Sequence, residues 1–341
     1  MEKRNLWRQE RILGELRDTL SRPLKTLRLS VTDRCNLRCS FCMPDGQNYE
    51  FFKKSEILSF EEIERVVRVL KSLGVSKVKL TGGEPLLRKN LELLVEKLSS
   101  LNLKEITLTT NGTGFLEKAS VLKNSGLTRV TFSLHSLRED VLKKLSGRDI
   151  KLSYLLSAIS RAVELGLKPV KINVCLIRGI NSQEAADFIK FFKNWGVVIR
   201  FIEFMDVGTL NGWSEELVVS SQELIEEFKN QFEVLPHKER KAGEVSYSYL
   251  INGQQVEFIS SITKPFCMDC DRIRLSADGK LFRCLYASEG LDIKTLMRLG
   301  ASDTQLLNSI KNFWEKRADK YSLERSQNKN QKRLEMFMLG G

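Results

Sequence analysis

Three cysteines stand close together in the run Asp33-Arg34-Cys35-Asn36-Leu37-Arg38-Cys39-Ser40-Phe41-Cys42. The C-x3-C-x2-C spacing lets one tight loop bring Cys35, Cys39 and Cys42 onto one small inorganic core. Soft thiolates favour iron–sulfur or zinc over hard cations. A closed structural zinc site takes four protein ligands, and no further cysteine follows until Cys175. A 4Fe–4S cube held by three cysteines keeps one iron open, and an open iron is a reaction site. A zinc or disulfide loop is the competing reading.

A second triad, Cys267, Cys270 and Cys284, has the spacing C-x2-C-x13-C. A CxxC knuckle usually starts a zinc ribbon, so zinc competes here too, although a fourth ligand is again missing. Cys175 falls in an apolar strand pattern, where small buried cysteines are common. Between Cys270 and Cys284, Arg272 and Arg274 stand two apart on a strand and point to the same side. Guanidinium forks suit phosphate oxygens; a pair of exposed hairpin arginines is the alternative.

These residues need a scaffold, and 341 residues give room for about two domains at ~150 residues each. Hydrophobic content of 42% and charged content of 29% are ordinary for a soluble globular chain. No apolar run approaches the ~18 residues of a membrane span. Residues 1–16 are rich in Lys, Arg and Glu without an apolar core, unlike a secretory signal. The expected setting is cytoplasmic, with reduced or metal-bound cysteines. The formal charge of +12 suits nucleic acid, a basic solvated surface, or a small polyanionic substrate. Without an interleaved aromatic–basic stripe, composition alone does not choose among them.

Along the chain, residues 1–24 read as an amphipathic helix leading into a strand at 27–32. Strands are expected at 76–81, 105–110, 128–134, 170–176 and 197–204. Helices are expected at 59–74, near 88–100 and 114–125, within 137–166, and at 182–195. Ser59 with Glu62 forms a capping box, and Gly74 is placed to end that helix. Alternating strands and helices mean βαβ units and a parallel sheet. The expected fold is α/β, an incomplete (βα)6 TIM-type barrel followed by a C-terminal auxiliary domain. A Rossmann arrangement lacks its glycine fingerprint after the first strand. The cysteine loop, Gly82-Gly83-Glu84-Pro85, Thr110-Asn111-Gly112, Ser133-Leu134-His135 and Glu203-Phe204-Met205 all follow strands, at the barrel end where active sites are built. Beyond about 209 the pattern changes: a capped helix at 220–232, a mixed, turn-rich stretch at 236–253, a polar, loose stretch at 322–333, and a terminal Gly-Gly. The domains expected are a lead-in at 1–24, the barrel at 25–235, an auxiliary region at 236–321 and a tail at 322–341.

The first triad, with an aromatic before its last cysteine, resembles the radical S-adenosylmethionine (SAM) enzymes. The second triad, followed by Asp271-Arg272-Ile273-Arg274-Leu275-Ser276-Ala277-Asp278-Gly279-Lys280-Leu281 and a final Gly-Gly, resembles the GTP 3′,8-cyclase family of molybdenum-cofactor biosynthesis. The likeness runs from about 27 to 284, plus the tail.

That resemblance implies two 4Fe–4S clusters, with Cys35, Cys39 and Cys42 on one and Cys267, Cys270 and Cys284 on the other. It implies SAM as cofactor, bound by Phe41, Gly83, Ser133 and Met205. It implies GTP as substrate, contacted by Arg28, Thr110, Lys171, Arg272, Ile273 and Arg274, with Lys77 and Lys79 adding charge. The implied reaction is cyclisation of GTP by a 5′-deoxyadenosyl radical that takes hydrogen from ribose C-3′, after which that carbon attacks guanine C-8. No side chain is expected to act as acid, base or nucleophile. Gly340 and Gly341 are expected to reach into the active site. Implied partners are an electron donor such as flavodoxin or ferredoxin and the cyclic pyranopterin monophosphate synthase that takes the product; a homodimer is allowed, and neither nucleic acid nor membrane is expected. Two positions depart from the family pattern: Lys79 stands in place of arginine, and His135 in place of aspartate, where a structural or solvent-facing role is expected. The stretch 236–256 is shorter than the pattern.

Overall fold

The computed structural model describes residues 15–325 and 333–340. Strands and helices alternate first: β1 (Thr26–Ser30), α1 (Phe60–Ser72), β2 (Lys77–Thr81), α2 (Leu91–Ser99), β3 (Glu105–Thr110), α3 (Phe115–Asn124) and β4 (Arg129–Ser133). Then come α4 (Glu139–Ser146), α5 (Leu152–Glu164), β5 (Val170–Leu176), α6 (Ala185–Phe191), β6 (Val197–Glu203) and α7 (Ser221–Lys229). The C-terminal part adds β7 (Val234–Lys238), β8 (Tyr247–Ile251), β9 (Gln254–Ile259), β10 (Arg272–Leu275), β11 (Lys280–Phe282) and β12 (Leu291–Asp292). It closes with α8 (Ile293–Arg298), α9 (Asp303–Glu315) and α10 (Met336–Leu339).

All twelve strands share one sheet, in the order β12-β11-β10-β1-β2-β3-β4-β5-β6-β9-β8-β7. From β10 across to β9 every neighbour is parallel; antiparallel hairpins finish both edges. Side chains of β1 through β6, β9 and β10 all line one cavity, so the sheet curls around it. The hydrogen-bonded order stays open at its ends, which agrees with the incomplete barrel expected from the alternation.

Strand parity explains how one sheet serves two purposes. Leu27 and Leu29 of β1 align with Val78 and Leu80 of β2 and have no exposure. They belong to the core that Val66, Val67 and Leu70 of α1 also fill. Arg28 pairs across with Lys79 and Arg274 on the other face. A period of two thus sends alternate residues to the helical layer and to the enclosed space.

Several sequence expectations are changed. Residues 15–24 form no helix: Arg17 bridges Pro23, and the Asp18 carboxylate accepts from the backbone N–H groups of Leu20 and Arg22. Proline cannot donate within a helix, and a short acidic side chain offers the backbone a turn instead. Residues 1–14 of that expected helix lie outside the described residues. The helix expected at 182–195 is a 3-10 turn, Ser182–Glu184, followed by the short α6, with Asn194 and Gly196 in left-handed conformations beyond it. The stretch 236–253 carries strands, joined to β9 by Asn252-Gly253, both at positive φ. That is the two-residue hairpin turn whose twist matches its strands. Among the described residues no helix is long and apolar enough to cross a membrane.

The capping box at α1 is present in both directions: Ser59 Oγ accepts from Glu62 N at 3.1 Å, and Glu62 Oε2 accepts from Ser59 N at 2.8 Å. Glu62 also accepts from Arg298 Nε at 2.8 Å, tying α1 to α8. Ser59→Ala is expected to lower stability by about 1 kcal/mol. Glu62→Ala should cost more, because it also unpairs Arg298. Urea unfolding of the two variants checks the order.

Candidate active site

The first cysteine triad sits on a loop braced from three directions. Gly83 N donates to Thr32 O and Glu84 N to Arg34 O, each at 2.8 Å. From the other side, Arg38 N donates to Ser146 O and Ser40 N to Leu145 O at the end of α4. Cys42 N and Met43 N both donate to Cys39 O, folding the loop back on itself. Gly83 allows this closeness: a Cβ there would lie 2.2 Å from Arg34 O, closer than any side chain tolerates.

Cys35, Cys39 and Cys42 line one cavity of about 200 Å³ together with Phe41, Gly83, Ser133 and Met205. The seven residues assigned to the first cluster and to SAM therefore meet in one place. Burial and then the neighbouring Cys42 and Cys35 sulfurs push the Cys39 thiol well above its ordinary range. Cys42 is pushed up to about 12, again by burial and then by Cys35. Three thiols that oppose one another's ionisation fit a cationic iron–sulfur core, which removes that opposition. Among the described residues, no three His, Cys, Asp or Glu side chains are grouped to hold a single metal ion.

The second triad faces a cavity of about 180 Å³. Cys267 opens the 3-10 turn Cys267–Asp269, whose Cys270 N–H folds back to Cys267 O. Cys284 follows β11. Arg272 Nη2 stands 3.3 Å from Cys270 Sγ, and Arg317 Nη1 donates to Cys270 O at 2.8 Å. Burial would push the Cys270 thiol up, but Arg272 and Arg317 bring it down to about 6. Arg22 is fully buried against Asp18 and donates to Cys267 O at 2.9 Å. Its Nη2 is buried without a partner, and the residue lines the same cavity. A thiol triad beside an unspent guanidinium donor fits an iron–sulfur cluster, which is anionic once its core is ligated by thiolates.

The same cavity gathers Arg28, Lys79, Arg129, Arg200, Arg272 and Arg274. Burial, then the adjacent Arg28 and Arg200, hold Lys79 well below the usual lysine range. Arg28 is lowered by burial and by Arg274, and Arg274 falls to about 10 through burial and Arg272. Such mutual opposition is what a bound polyanion relieves.

Some expected contacts fall elsewhere. Lys171 is buried and spends its ammonium on Glu257, at 2.6 and 2.8 Å from the two oxygens, while Arg200 holds the same carboxylate at 2.6 Å. Burial would raise Glu257, but Arg200 and Lys171 hold it at about 2. Thr110 lines the first cavity, and its hydroxyl donates to Glu84 at 2.8 Å. Lys77 lies at the start of β2, outside the lining of both cavities. Ile273 is fully buried in the apolar core on the opposite face of β10, so its side chain cannot reach a ligand.

His135 has the structural setting expected of it. Its Nδ1 accepts from Cys175 N at 3.0 Å and its ring meets Phe41 edge-on at 4.7 Å. Burial lowers it to about 4, so it is neutral near pH 7.

The tail enters between the arginines. Gly340 O accepts from Arg28 Nε at 2.8 Å and from Arg274 Nη1 at 3.0 Å. A Cβ on Gly340 would lie 2.1 Å from Thr81 Oγ1, and φ is +65°, so only glycine fits here. Gly341 lies outside the described residues.

Arg129, Arg200 and Asn173 also line the second cavity and were not singled out in the sequence. For Arg129 and Asn173 the signal is a polar residue at alternate places, Arg129-Thr131-Ser133 and Lys171-Asn173; Arg200 stands between Val198 and Ile202 and has no such signal. Thr109, Asn173, Ile202 and Met205 line both cavities, so the two adjoin, with a cysteine triad in each.

Residues 29–192 match the family model described as Radical SAM superfamily, and 197–323 match Molybdenum Cofactor Synthesis C. A GTP 3′,8-cyclase of Aquifex aeolicus is 47% identical, covering 96% of this chain and 100% of the relative. One of Staphylococcus epidermidis is 41% identical, covering 96% and 99%. Among solved structures, Streptococcus suis SuiB bound to S-adenosylmethionine superimposes with a TM-score of 0.59 at 15% identity, covering 85% of this chain and 68% of that one. That similarity concerns the fold.

Gly83→Ala is expected to displace the cysteine loop, because the added methyl meets backbone. The sheet should stay folded while SAM affinity falls at least about tenfold, misplacement being costly in a preorganised site. Isothermal titration and iron analysis check this; wild-type affinity and iron content would contradict it.

Proposed function

The chain belongs to the GTP 3′,8-cyclase family of radical SAM enzymes, and we propose that it converts GTP to (8S)-3′,8-cyclo-7,8-dihydroguanosine 5′-triphosphate. It is an enzyme of molybdenum-cofactor biosynthesis. The observation that carries the reading is the pair of adjoining cavities, with Cys35, Cys39 and Cys42 in one and Cys267, Cys270 and Cys284 among clustered cations in the other. When bound, a reduced 4Fe–4S cluster and SAM would supply a 5′-deoxyadenosyl radical able to take hydrogen from ribose C-3′; bonding of that carbon to guanine C-8 would leave a radical that one further electron, from the reductant, and a proton convert to the dihydroguanosine.

The protein's own work is positional and electrostatic. Cys35, Cys39 and Cys42 hold the first cluster on a loop braced by Gly83 and α4. Gly83, lacking Cβ, lets the cysteine loop close against its backbone, and Gly83, Phe41, Ser133 and Met205 would surround SAM. Cys267, Cys270 and Cys284 would hold the second cluster, which would serve to anchor the guanine. Arg28, Lys79, Arg272 and Arg274 hold the triphosphate. Arg200 adds charge, and Lys171 shares the Glu257 carboxylate with it, so Lys171 acts at one remove from the ligand. Thr109, Asn173, Ile202 and Met205 surround the junction where the two sugars must meet, away from bulk water. An electron donor such as flavodoxin or ferredoxin would serve the first cluster, and the product would pass to cyclic pyranopterin monophosphate synthase.

Anaerobic protein with reductant, SAM and GTP should yield 5′-deoxyadenosine and a cyclised nucleotide, identified by mass. Turnover of a peptide without turnover of GTP would overturn the reading. Arg274→Ala should weaken GTP binding about tenfold to a hundredfold, the worth of charge-assisted hydrogen bonds, and leave SAM affinity near wild type.

A further inference from the structure

The turn after β6 holds a buried carboxylate that the proposed reaction does not use. Asp206 directly follows Met205, which lines both cavities, and it is 5% exposed. Its Oδ1 accepts from Tyr286 OH at 3.1 Å and from Arg325 Nε at 3.0 Å. Its Oδ2 accepts from Arg333 Nη1 at 3.0 Å, and the same nitrogen donates to the Asp206 carbonyl. Two guanidiniums therefore converge on one carboxylate, from positions on either side of residues 326–332.

The neighbouring backbone extends this grip. Thr209 donates to Glu335 Oε1 through its N–H at 2.8 Å and its hydroxyl at 3.0 Å. Gly208 leaves the room, since a Cβ there would lie 2.1 Å from Glu335 Oε2. The turn itself is stiffened by Asn211 Nδ2, which donates to Met205 O and Val207 O, and by Trp213 Nε1, which donates to Phe204 O.

Beyond Glu335 the chain closes the chamber. Phe337 meets Tyr49 edge-on at 5.5 Å and, with Met336, lines the first cavity. Leu339 is fully buried beside Phe282 and Ala287. Gly340 O then reaches Arg28 and Arg274 in the second cavity. The segment 333–340 is thus a strap across both cavities, and its charged anchors lie at its start, on the 206–209 turn.

We propose that Asp206 is the clasp of this strap, a positioning residue that keeps the tail docked over the chamber by holding Arg333 and Arg325 together. Removing its charge leaves two guanidiniums facing one another with no anion between them, and like charges in a partly buried site separate. Through Tyr286, two residues after Cys284, the same carboxylate links the strap to the second cysteine triad. The clasp itself stands on geometry alone; its kinetic consequence rests on the proposed GTP reaction.

The test uses Asp206→Asn, which keeps size and removes charge, in full-length protein with its clusters reconstituted anaerobically. Amide hydrogen exchange across 333–340 should quicken at least about tenfold, as a local opening rather than a global one. Exchange in β1–β6 and iron content should remain as in wild type. Tail exchange unchanged from wild type would overturn the proposal. The ratio of cyclised nucleotide to 5′-deoxyadenosine should fall in the variant. In protein lacking Gly340 and Gly341, Asp206→Asn should leave GTP affinity where the truncation alone puts it; additive losses would mark a merely structural role and sink the clasp. Should Asp206→Asn fold poorly, Arg333→Gln removes only one arm and should loosen the tail in the same direction. If the wild-type protein does not cyclise GTP, the reaction reading fails while the exchange result still decides the clasp.

Discussion

Positive charge crowded inside a curled sheet is the condition around which the rest of this molecule is arranged. Arg28, Lys79, Arg200, Arg272 and Arg274 face one cavity, and burial with mutual proximity works against the ionisation of Arg28, Lys79 and Arg274. Such a wall lowers the stability of the fold, and the protein offsets the cost selectively. Asp18 balances Arg22, and Glu257 takes Lys171 and Arg200 together. At Arg274 the partners are instead neutral carbonyls, Leu339 O and Gly340 O. A carbonyl satisfies donors without cancelling their charge, so the attraction for an anion survives.

That wall exists because strands read with a period of two. In β1 to β4 apolar residues alternate toward the helices and polar ones toward the cavities, so a single sheet supplies both the core and the site. Placing β10 beside β1 matters equally: it sets Arg274 directly across from Arg28. Residues more than two hundred positions apart become one guanidinium pair through a parallel ladder. The close approach at Gly83 does for the first triad what this pairing does for the cations, since it fixes a loop by backbone contact rather than by side-chain choice.

Much of this was legible in the residues. Both cysteine groups, the βα alternation and the β3 and β5 boundaries were visible as spacing and periodicity, because local chemistry dictates them. The Arg272/Arg274 pairing followed from strand parity alone, and the same parity places Ile273 in the core on the opposite face. Arg129 and Asn173 carry the same two-residue signal, yet nothing in a single strand says which face closes on a ligand, and Arg200, between Val198 and Ile202, carries none. The Glu257 carboxylate was illegible for a different reason: its worth depends on β9 lying beside β6, a long-range pairing that local pattern does not encode. The N-terminal helix failed at residues 15–24 because Asp18 and Pro23 outweigh apolar periodicity there. The Asn252-Gly253 turn was a readable hairpin signal within a stretch that looked merely irregular.

One chamber holding two different ligands raises a sorting problem, and the charge distribution answers it. The first cavity is lined by Phe41, Cys175, Met205 and Phe337, with a histidine neutral near pH 7. The second is lined by guanidiniums and a lysine. Under the proposed reaction, SAM carries a sulfonium cation and GTP a polyanionic tail. A sulfonium placed at the second end would face several like charges without compensation, whereas a triphosphate at the first would meet Glu84 and Glu203 and, among the described lining residues, no lysine or arginine. Discrimination thus comes from what each end refuses as much as from what it holds. The boundary lies at Thr109, Asn173, Ile202 and Met205, where neither charge dominates. There the only sustained requirement is geometric: two sugars held close enough for one hydrogen to move between carbons.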